Sequence, residues 1–440
     1  MVKSHTRVLI AGGGPAGAAV AVSLARLGHR PLLIAAPRRQ PALEGFSDRT
    51  LRALETLGLE HARAAVGARV LRAAYWAGER NQVNEEYIVD REAFDTALLA
   101  DVRAHDIEVL QDRVMRTTRS QERWDLRLSS YGAMTTDLLV EARGRAAPAP
   151  PRTRRSGPAT VSLARCWTGV DADPATSIAA MRDGWAWYAA PGGGAAILQF
   201  LVAATPGDLP KRAGLVEFFD QILSGCEIAR HWIADGRSHG PVVVRRANPV
   251  CAQRPFDDGR IRVGDAALAP DPLSGHGVYV ALGGAQAAAV AVNTLLRRPA
   301  SAALARTFYE ERCRLDFMRL ARVGRAFYAR EGRWRDSLFW QARRTWPDAS
   351  PPHPPMDSHP PRIETRPVVE HGFITQHEVV VTPDHPRGVW VVDGVPLVPL
   401  LRALQEPEDP PDIEQLAAGL GRSAASVRIA QSWLKQRFRL

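Results

Sequence analysis

The sequence of 440 residues predicts an α/β protein: a Rossmann-like dinucleotide-binding domain, an antiparallel-sheet substrate domain and a small C-terminal winged-helix-like module. Three observations predict it. Residues 7–36 read as strand, glycine turn, helix and strand; short runs of alternating hydrophobicity fill 159–250; and a strand pair followed by three helical stretches ends the chain.

The opening unit is RVLIAG, then GGPAG, then AAVAVSLARLG, then RPLLIAA, a βαβ arrangement. Helices are expected from about Asp48 to Leu59 and from Arg91 to His105, with a mixed region between them. The run IEVLQDRVM is expected as one strand, and WDLRLSS and DLLVEARG as two more. The segment APAPPRTRRSGP, 147–158, marks a boundary, because proline removes backbone donors and resists continuation of either regular element. Beyond it, ILQFLVAA and GPVVVRRA alternate as antiparallel strands do, with one helix near LVEFFDQIL. The first domain resumes at RIRVGDAAL, followed by the long helix GVYVALGGAQAAAVAVNTLL. The expected parts are therefore 1–158 plus 251–300 for the dinucleotide domain and 159–250 for the substrate domain. A helical segment, 301–346, a proline-rich spacer, 347–367, and the winged-helix-like module, 368–440, complete the chain. In that module FITQHEVVVTP and GVWVVDG form the hairpin.

The motif GGGPAG supplies Gly12, Gly14, Ala16 and Gly17 directly after a strand and at the start of a helix. Glycine is required there because the backbone must turn tightly, approach a pyrophosphate and let helix pack on strand, while the helix start favours the anion. The acidic residue that usually ends the second strand and binds a ribose is replaced by Ala35 and Ala36 in LLIAAPRR. Ribose recognition then falls elsewhere, with Arg38 or Arg39 as candidates, and a phosphorylated ribose as in NADP stays open.

Composition narrows the classes. A hydrophobic fraction of 45% is ample for packed cores, so disorder throughout is excluded. The net charge is +10, and among 57 basic residues only Lys3, Lys211 and Lys435 are lysines. The arginines are spread along the chain, which reads as a solvated surface rather than a nucleic-acid patch. Cys166, Cys226, Cys251 and Cys313 have neither metal nor disulfide spacing, so reduced thiols and no metal are expected. With a strand already forming by residue 7 and no apolar run near the roughly 18 residues of a membrane helix, a cytoplasmic protein with no membrane partner is expected.

The stretch RVGDAALAPDPLSGHGVYVAL, 262–282, resembles the GD motif of the FAD-dependent aromatic hydroxylases and flavin-dependent halogenases. The resemblance implies that the Rossmann-like domain is an FAD-binding domain, that Asp265 bonds the ribityl or pyrophosphate region, and that Pro272, Gly275 and Gly277 border the isoalloxazine. GFSDRTLRALETLGL resembles the family segment whose arginine, here Arg49, reaches the FAD phosphates. IVDREAFDTALL resembles the one whose arginine, here Arg91, lies near the dinucleotide, and Val114 falls where the family makes a backbone contact to adenine. VEARGR, 140–145, matches the family DG or DATGR segment in part, with Glu141 and Arg143 at altered positions. His276 is the catalytic candidate, as a donor or base with a pKa naturally near neutrality; a structural histidine at a helix start is the alternative.

The resemblance implies a flavin monooxygenase using NADH or NADPH and a flavin hydroperoxide to hydroxylate an aromatic ring. Halogenation is one alternative, although no lysine lies between Lys3 and Lys211, where halogenases carry theirs, and GWAWYAAP only approximates their tryptophan signature. A geranylgeranyl-type reductase is another. The C-terminal module offers two readings: DNA binding through Arg428, Lys435, Arg437 and Arg439, which would make the chain a regulator, or docking of a peptide or small protein substrate. Taken together, the features resemble the flavoprotein monooxygenases of tryptophylquinone cofactor biogenesis, of the kind that act on a peptidyl tryptophan in quinohemoprotein amine dehydrogenase maturation.

Overall fold

The computed structural model describes residues 5–38, 40–149, 153–355, 360–405 and 411–438. Lys3, Arg39 and Arg439, named above, lie outside the described residues. The chain divides into two compact units, Met1–Ala289 with Cys313–Ala349 and Val290–Arg312 with Ser350–Leu440.

In the first unit a sheet is built around strand His5–Ala11, which pairs in parallel with Leu32–Ala35 on one side and Ala133–Glu141 on the other. Glu108–Gln111 extends it beyond Leu32–Ala35, and Arg260–Arg262 extends it beyond Ala133–Glu141, both in parallel. Val8, Leu9, Ile10, Leu33 and Ile34 are all buried, as expected of parallel strands covered on both faces. Helix Pro15–Arg26 packs there through an unbroken buried run from Ala16 to Val22, which only small and β-branched side chains could form so close to a sheet.

Two expectations need correction here. IEVLQDRVM is not one strand: Glu108–Gln111 ends and a separate strand, Val114–Ser120, leaves to pair with Arg123–Leu128. The break is at Asp112, whose carboxylate accepts the backbone N–H groups of Arg113, Ser130 and Tyr131 and the hydroxyl of Ser129. The mixed region after Leu59 is a hairpin, Arg69–Trp76 with Glu79–Asp90, and it does not join the parallel sheet. It enters the substrate sheet instead, where Arg69–Trp76 pairs in parallel with Ala175–Met181 and Leu43–Phe46 closes the far edge. A crossover between strands about a hundred residues apart leaves no local trace in the sequence.

That second sheet runs Arg237–Arg246, Val161–Thr168, Ala195–Val202, Gly184–Gly192, Ala175–Met181 and then the hairpin. Strand alternation splits its side chains between two faces. Leu163, Tyr188, Leu198 and Phe200 join a core with Phe219 of helix Leu215–Ser224. Ser162, Ala164, Trp187 and Gln199 point the other way.

Helix Gly277–Arg297 corrects a third expectation. It is 21 residues long with a mean hydropathy of 1.4 over its most apolar window, enough by length and composition to cross a membrane, although 61% of that window is buried within the protein. Its apolar character comes from alanine and glycine, whose small side chains suit close packing.

The second unit carries strands Arg362–Glu370, Phe373–Thr382 and His385–Val389 as an antiparallel meander. The proline-rich spacer therefore ends by residue 361 rather than 367, and the expected hairpin has a third strand. GVWVVDG is also divided, since Val391–Val392 turns back to pair with Val395–Pro396. Helices Leu397–Leu404, Ile413–Leu420 and Ala424–Lys435 pack around Leu397, Leu401, Leu416, Val427 and Leu434. Asp412 and Gln415 form a capping box, Gly421 ends that helix in the left-handed conformation, and Ser423 caps the next. Arg437 bonds Asp384 at 2.8 Å, and Arg428 lies 3.6 Å from Glu414. Two of the guanidinium groups considered for DNA thus face carboxylates.

The hydrogen bonds to Asp112 outweigh the burial that opposes its charge and hold its carboxyl well below the usual carboxylate range. A depressed folded-state pKa contributes stability above the unfolded value, near 4, and loses it as pH falls. Asp112→Ala should therefore destabilise the first unit at pH 7, and the gap to wild type should narrow as pH drops below about 4. Chemical denaturation across pH measures it.

Candidate functional site

Two stretches separated by some 250 residues of sequence meet in the first unit. Val263 donates its N–H to the Glu141 carbonyl, and Ala142 donates to Ala11, so the strands carrying both motifs end side by side. Gly264 has φ +56, and a Cβ there would lie 2.7 Å from the Ala16 Cβ. The GD segment is therefore pressed against the start of helix Pro15–Arg26. Beside it, a Cβ on Gly144 would come 3.8 Å from the Asp265 Cβ.

The glycines of the first motif divide into two kinds. Gly12 has φ +119, and a Cβ there would meet the Ala142 carbonyl oxygen at 2.5 Å; a Cβ on Gly17 would stand 1.8 Å from the Gly12 oxygen. Both are obliged by protein packing. Gly14 has open space where its Cβ would be, and it caps the helix without a side chain or an acidic residue in the first turn. The amides at that helix start are thus left accessible, which suits a diphosphate.

Asp265 bonds Arg145 at 3.3 Å, and its side chain is 38% accessible from the adjoining cavity. The surrounding protein pushes its carboxyl above the usual range against the pull of Arg145. Arg145 is further held by the Asn248 carbonyl at 2.6 Å. Glu141 and Arg143, the altered positions of VEARGR, form a buried ion pair, and Arg143 also donates to the Val114 carbonyl at 3.2 Å. Val114 is buried beside that segment.

Arg91 starts helix Arg91–Ala104 and is buried, bonding Glu44 at 2.6 Å and Asp95 at 2.8 Å. Burial opposes its charge, but the two carboxylates outweigh this and hold it above its usual range. Arg38 shares Asp95 at 2.9 Å. Arg49 is exposed at the start of helix Asp48–Thr56.

A cavity of about 300 Å³ opens beside these elements. One wall carries Asp265, Asp271, Pro272, Gly275 and Gly277. The facing wall is the free face of the substrate sheet, with Ser162, Ala164, Cys166, Trp185, Trp187, Gln199 and Arg245. Asp271 caps the turn Pro272–Ser274 by accepting the Leu273 N–H, and Gly275, at φ +61, ends it in the left-handed conformation. Burial pushes the Asp271 carboxyl up. Its oxygen also accepts the Tyr328 hydroxyl at 3.0 Å, and that hydroxyl in turn accepts the Trp185 indole N–H at 3.2 Å.

His276 sits apart from the residues that line the cavity. Its ring lies 6.4 Å from that of Tyr279, and among the described residues its buried Nδ1 has no hydrogen-bond partner. Burial pushes its imidazole below the usual range, and nearby Arg49, Arg319 and Arg72 push the same way. Asp265, Pro272, Gly275 and Gly277 thus line one cavity, and Gly12, Gly14, Ala16 and Gly17 form the helix start pressed against the GD segment, whereas Arg91 is engaged by carboxylates. Arg145, Tyr328 and Asp271 as a cap were not anticipated as a connected set; only the DP dipeptide gave a signal.

The residues fit a flavin dinucleotide: the glycine-rich helix start has open space at Gly14, and the accessible carboxylate of Asp265 stands beside it on the wall of a cavity. Comparison with known proteins agrees. Residues 5–136 match the FAD binding domain family model. The solved structure of a peptidyl tryptophan dihydroxylase, QhpG, essential for tryptophylquinone cofactor biogenesis is 36% identical. The alignment covers 98% of this chain and 99% of that one, with a TM-score of 0.86. A tryptophan 2-halogenase from Chondromyces crocatus is 26% identical over 372 residues, 78% of this chain and 71% of that protein. The flavin-dependent halogenase CmlS shares the fold at 18% identity and a TM-score of 0.74, with 98% of this chain and 94% of that one covered. An N-terminal FAD-binding domain and a whole-chain relative of this similarity place the chain in the FAD-dependent aromatic hydroxylase and halogenase superfamily.

Proposed function

We propose that this flavoprotein hydroxylates the indole of a tryptophan carried on a peptide or small protein, as a step of tryptophylquinone formation, with NADH or NADPH as electron donor. The observation that carries the reading is the 36% identity, sustained over 98% of the chain, to a peptidyl tryptophan dihydroxylase. Bound FAD supplies the oxygen-activating chemistry. The chain's own part is positioning. Gly12 and Gly17 allow the tight helix start at which Gly14 would admit the diphosphate, Asp265 would take the polyol, and the turn Pro272–Gly275 would border the ring. The facing sheet, with the partly exposed Trp187, offers an apolar surface against which an indole can be held.

The cavity lining supports hydroxylation over halogenation, since it holds several arginines and no lysine among the described residues. We also infer that the second unit helps capture the macromolecular substrate, with the edge of its meander available for strand addition.

Mass spectrometry of a tryptophan-bearing peptide after incubation with the enzyme, NADH or NADPH and oxygen tests the reading. Gains in multiples of an oxygen mass are expected, whereas a chlorine isotope pattern in the presence of chloride would replace hydroxylation with halogenation. A second prediction concerns Asp265→Ala. Loss of a charged hydrogen-bond partner is worth about 1.5–3 kcal/mol, so FAD should bind roughly 10- to 100-fold more weakly. Equilibrium dialysis that returned wild-type affinity would show that Asp265 does not hold the cofactor.

A further inference from the structure

We propose that Tyr328 is a positioning residue: through Asp271 on one side and Trp185 on the other, its hydroxyl fixes the spacing between the ring-bordering turn and the substrate wall. The inference rests on the reading above for its substrate but not for its geometry.

The argument begins with three connected hydrogen bonds. Leu273 N–H and the Tyr328 hydroxyl both bond Oδ1 of Asp271, at 3.0 Å each, and Trp185 Nε1 donates to the Tyr328 oxygen at 3.2 Å. Asp271 and Trp185 lie on opposite walls of the cavity, one in the turn before helix Gly277–Arg297 and the other on strand Gly184–Gly192. Tyr328 belongs to neither. It comes from helix Ala302–Arg330 and is 3% exposed. One phenol on a third element therefore spans two walls that, among the described residues, share no strand pairing.

The surroundings hold that phenol in place. One turn earlier on the same helix is Gly324, where a Cβ would sit 3.9 Å from the Asp271 Cβ, so the helix and the turn approach closely. Trp76, Phe339 and Trp340 surround the Tyr328 ring with centroids 5.9 to 6.4 Å away. The Arg343 guanidinium lies 5.8 Å from the ring and is itself buried, bonding the carbonyls of Phe339 and Ala159. A buried cation is thus placed near the buried Asp271 carboxyl, and the pair limits the cost of enclosing either charge.

A hydroxyl spent on packing alone could have been a phenylalanine. In a polar network whose members are buried, removing one bond leaves its partners unsatisfied and lets them move. The Trp185 N–H and the Asp271 oxygen would each lose a partner, and the turn Pro272–Gly275 would lose its tie to the substrate sheet. Displacements of about 1 Å at a reacting centre cost on the order of a hundred-fold in rate.

The test is Tyr328→Phe in the full-length FAD-loaded protein, with Phe317→Leu as a packing control: Phe317 is buried on the same helix against Trp346 and touches none of the three bonds. Visible circular dichroism of the bound flavin reports the ring's surroundings without any substrate. The spectrum should change in Tyr328→Phe and in Asp271→Ala, and the double variant should change no further than the larger single effect. It should stay as in wild type in Phe317→Leu even where the melting temperature falls. With a peptide that is turned over, kcat in Tyr328→Phe should drop on the order of 10- to 100-fold while KM stays within about two-fold. An unaltered flavin spectrum in Tyr328→Phe, or an equal change in Phe317→Leu, overturns the inference. If no peptide is hydroxylated at all, the proposed function fails while the spectral comparison still decides the role of Tyr328.

Discussion

Everything in the first unit depends on the contact of Gly264 with Ala16. The space for a Cβ between them is gone, so two sequence-distant segments are locked at backbone distance. Three parallel strands, His5–Ala11, Ala133–Glu141 and Arg260–Arg262, make this possible by delivering their C-terminal ends to one edge. Ligands of open α/β sheets bind at that carboxyl edge, where chain leaves the sheet and helices begin. The open helix start at Gly14 and the Arg145–Asp265 pair are both consequences of strands ending side by side.

The cavity follows from a second constraint, the alternation of side chains along the substrate sheet. One face must be apolar to bury Phe200, Leu198 and Phe219 together. The opposite face packs Trp185 and Leu201 into a second core with Tyr328 and Trp340, and carries Ser162 and Gln199 to the cavity. A one-residue slip in any strand would exchange the two sets, so core packing and substrate contact enforce one register. The bulge between Ala164 and Cys166 lies in strand Val161–Thr168, which serves both faces, Leu163 and Trp167 in the core and Ser162 and Ala164 at the cavity.

How much of this was legible in the sequence divides along physical lines. The βαβ unit could be read because Gly17 answers to the nearby Gly12 carbonyl, although Gly12 itself answers to Ala142 on a neighbouring strand's end. The GD segment could be read because it resembles a family motif, and its Gly264 answers to the close approach of Ala16. The Arg69–Asp90 hairpin could not be assigned to its sheet, since alternation announces a strand but not its neighbour. The break at Asp112 was missed because its partners, Ser129 to Tyr131, lie across a hairpin from it. Asp271 was visible as a helix-start charge, yet its link to Tyr328 spans 57 residues and leaves no periodic signature. His276 was singled out for its chemistry between two glycines, and position rather than pKa sets it off the cavity.

The arginines show the same limit from the side of charge. Arg91 looked suited to a phosphate, but a guanidinium that is 7% exposed must be neutralised by its surroundings whether or not a ligand is present. Glu44 and Asp95 do this, and Arg38 shares the second of them. An arginine committed to two carboxylates has little charge left to offer a diphosphate directly. Its influence is better understood as rigidity: it ties strand Leu43–Phe46 of the substrate sheet to helix Arg91–Ala104, which packs on helix Pro15–Arg26. The cradle's attraction for an anion then comes chiefly from backbone amides at the helix start, and these need no counter-charge when the site is empty. At this edge the charges of Arg91 and Arg38 are thus paired, while the peptide dipoles at the start of helix Pro15–Arg26 are left exposed.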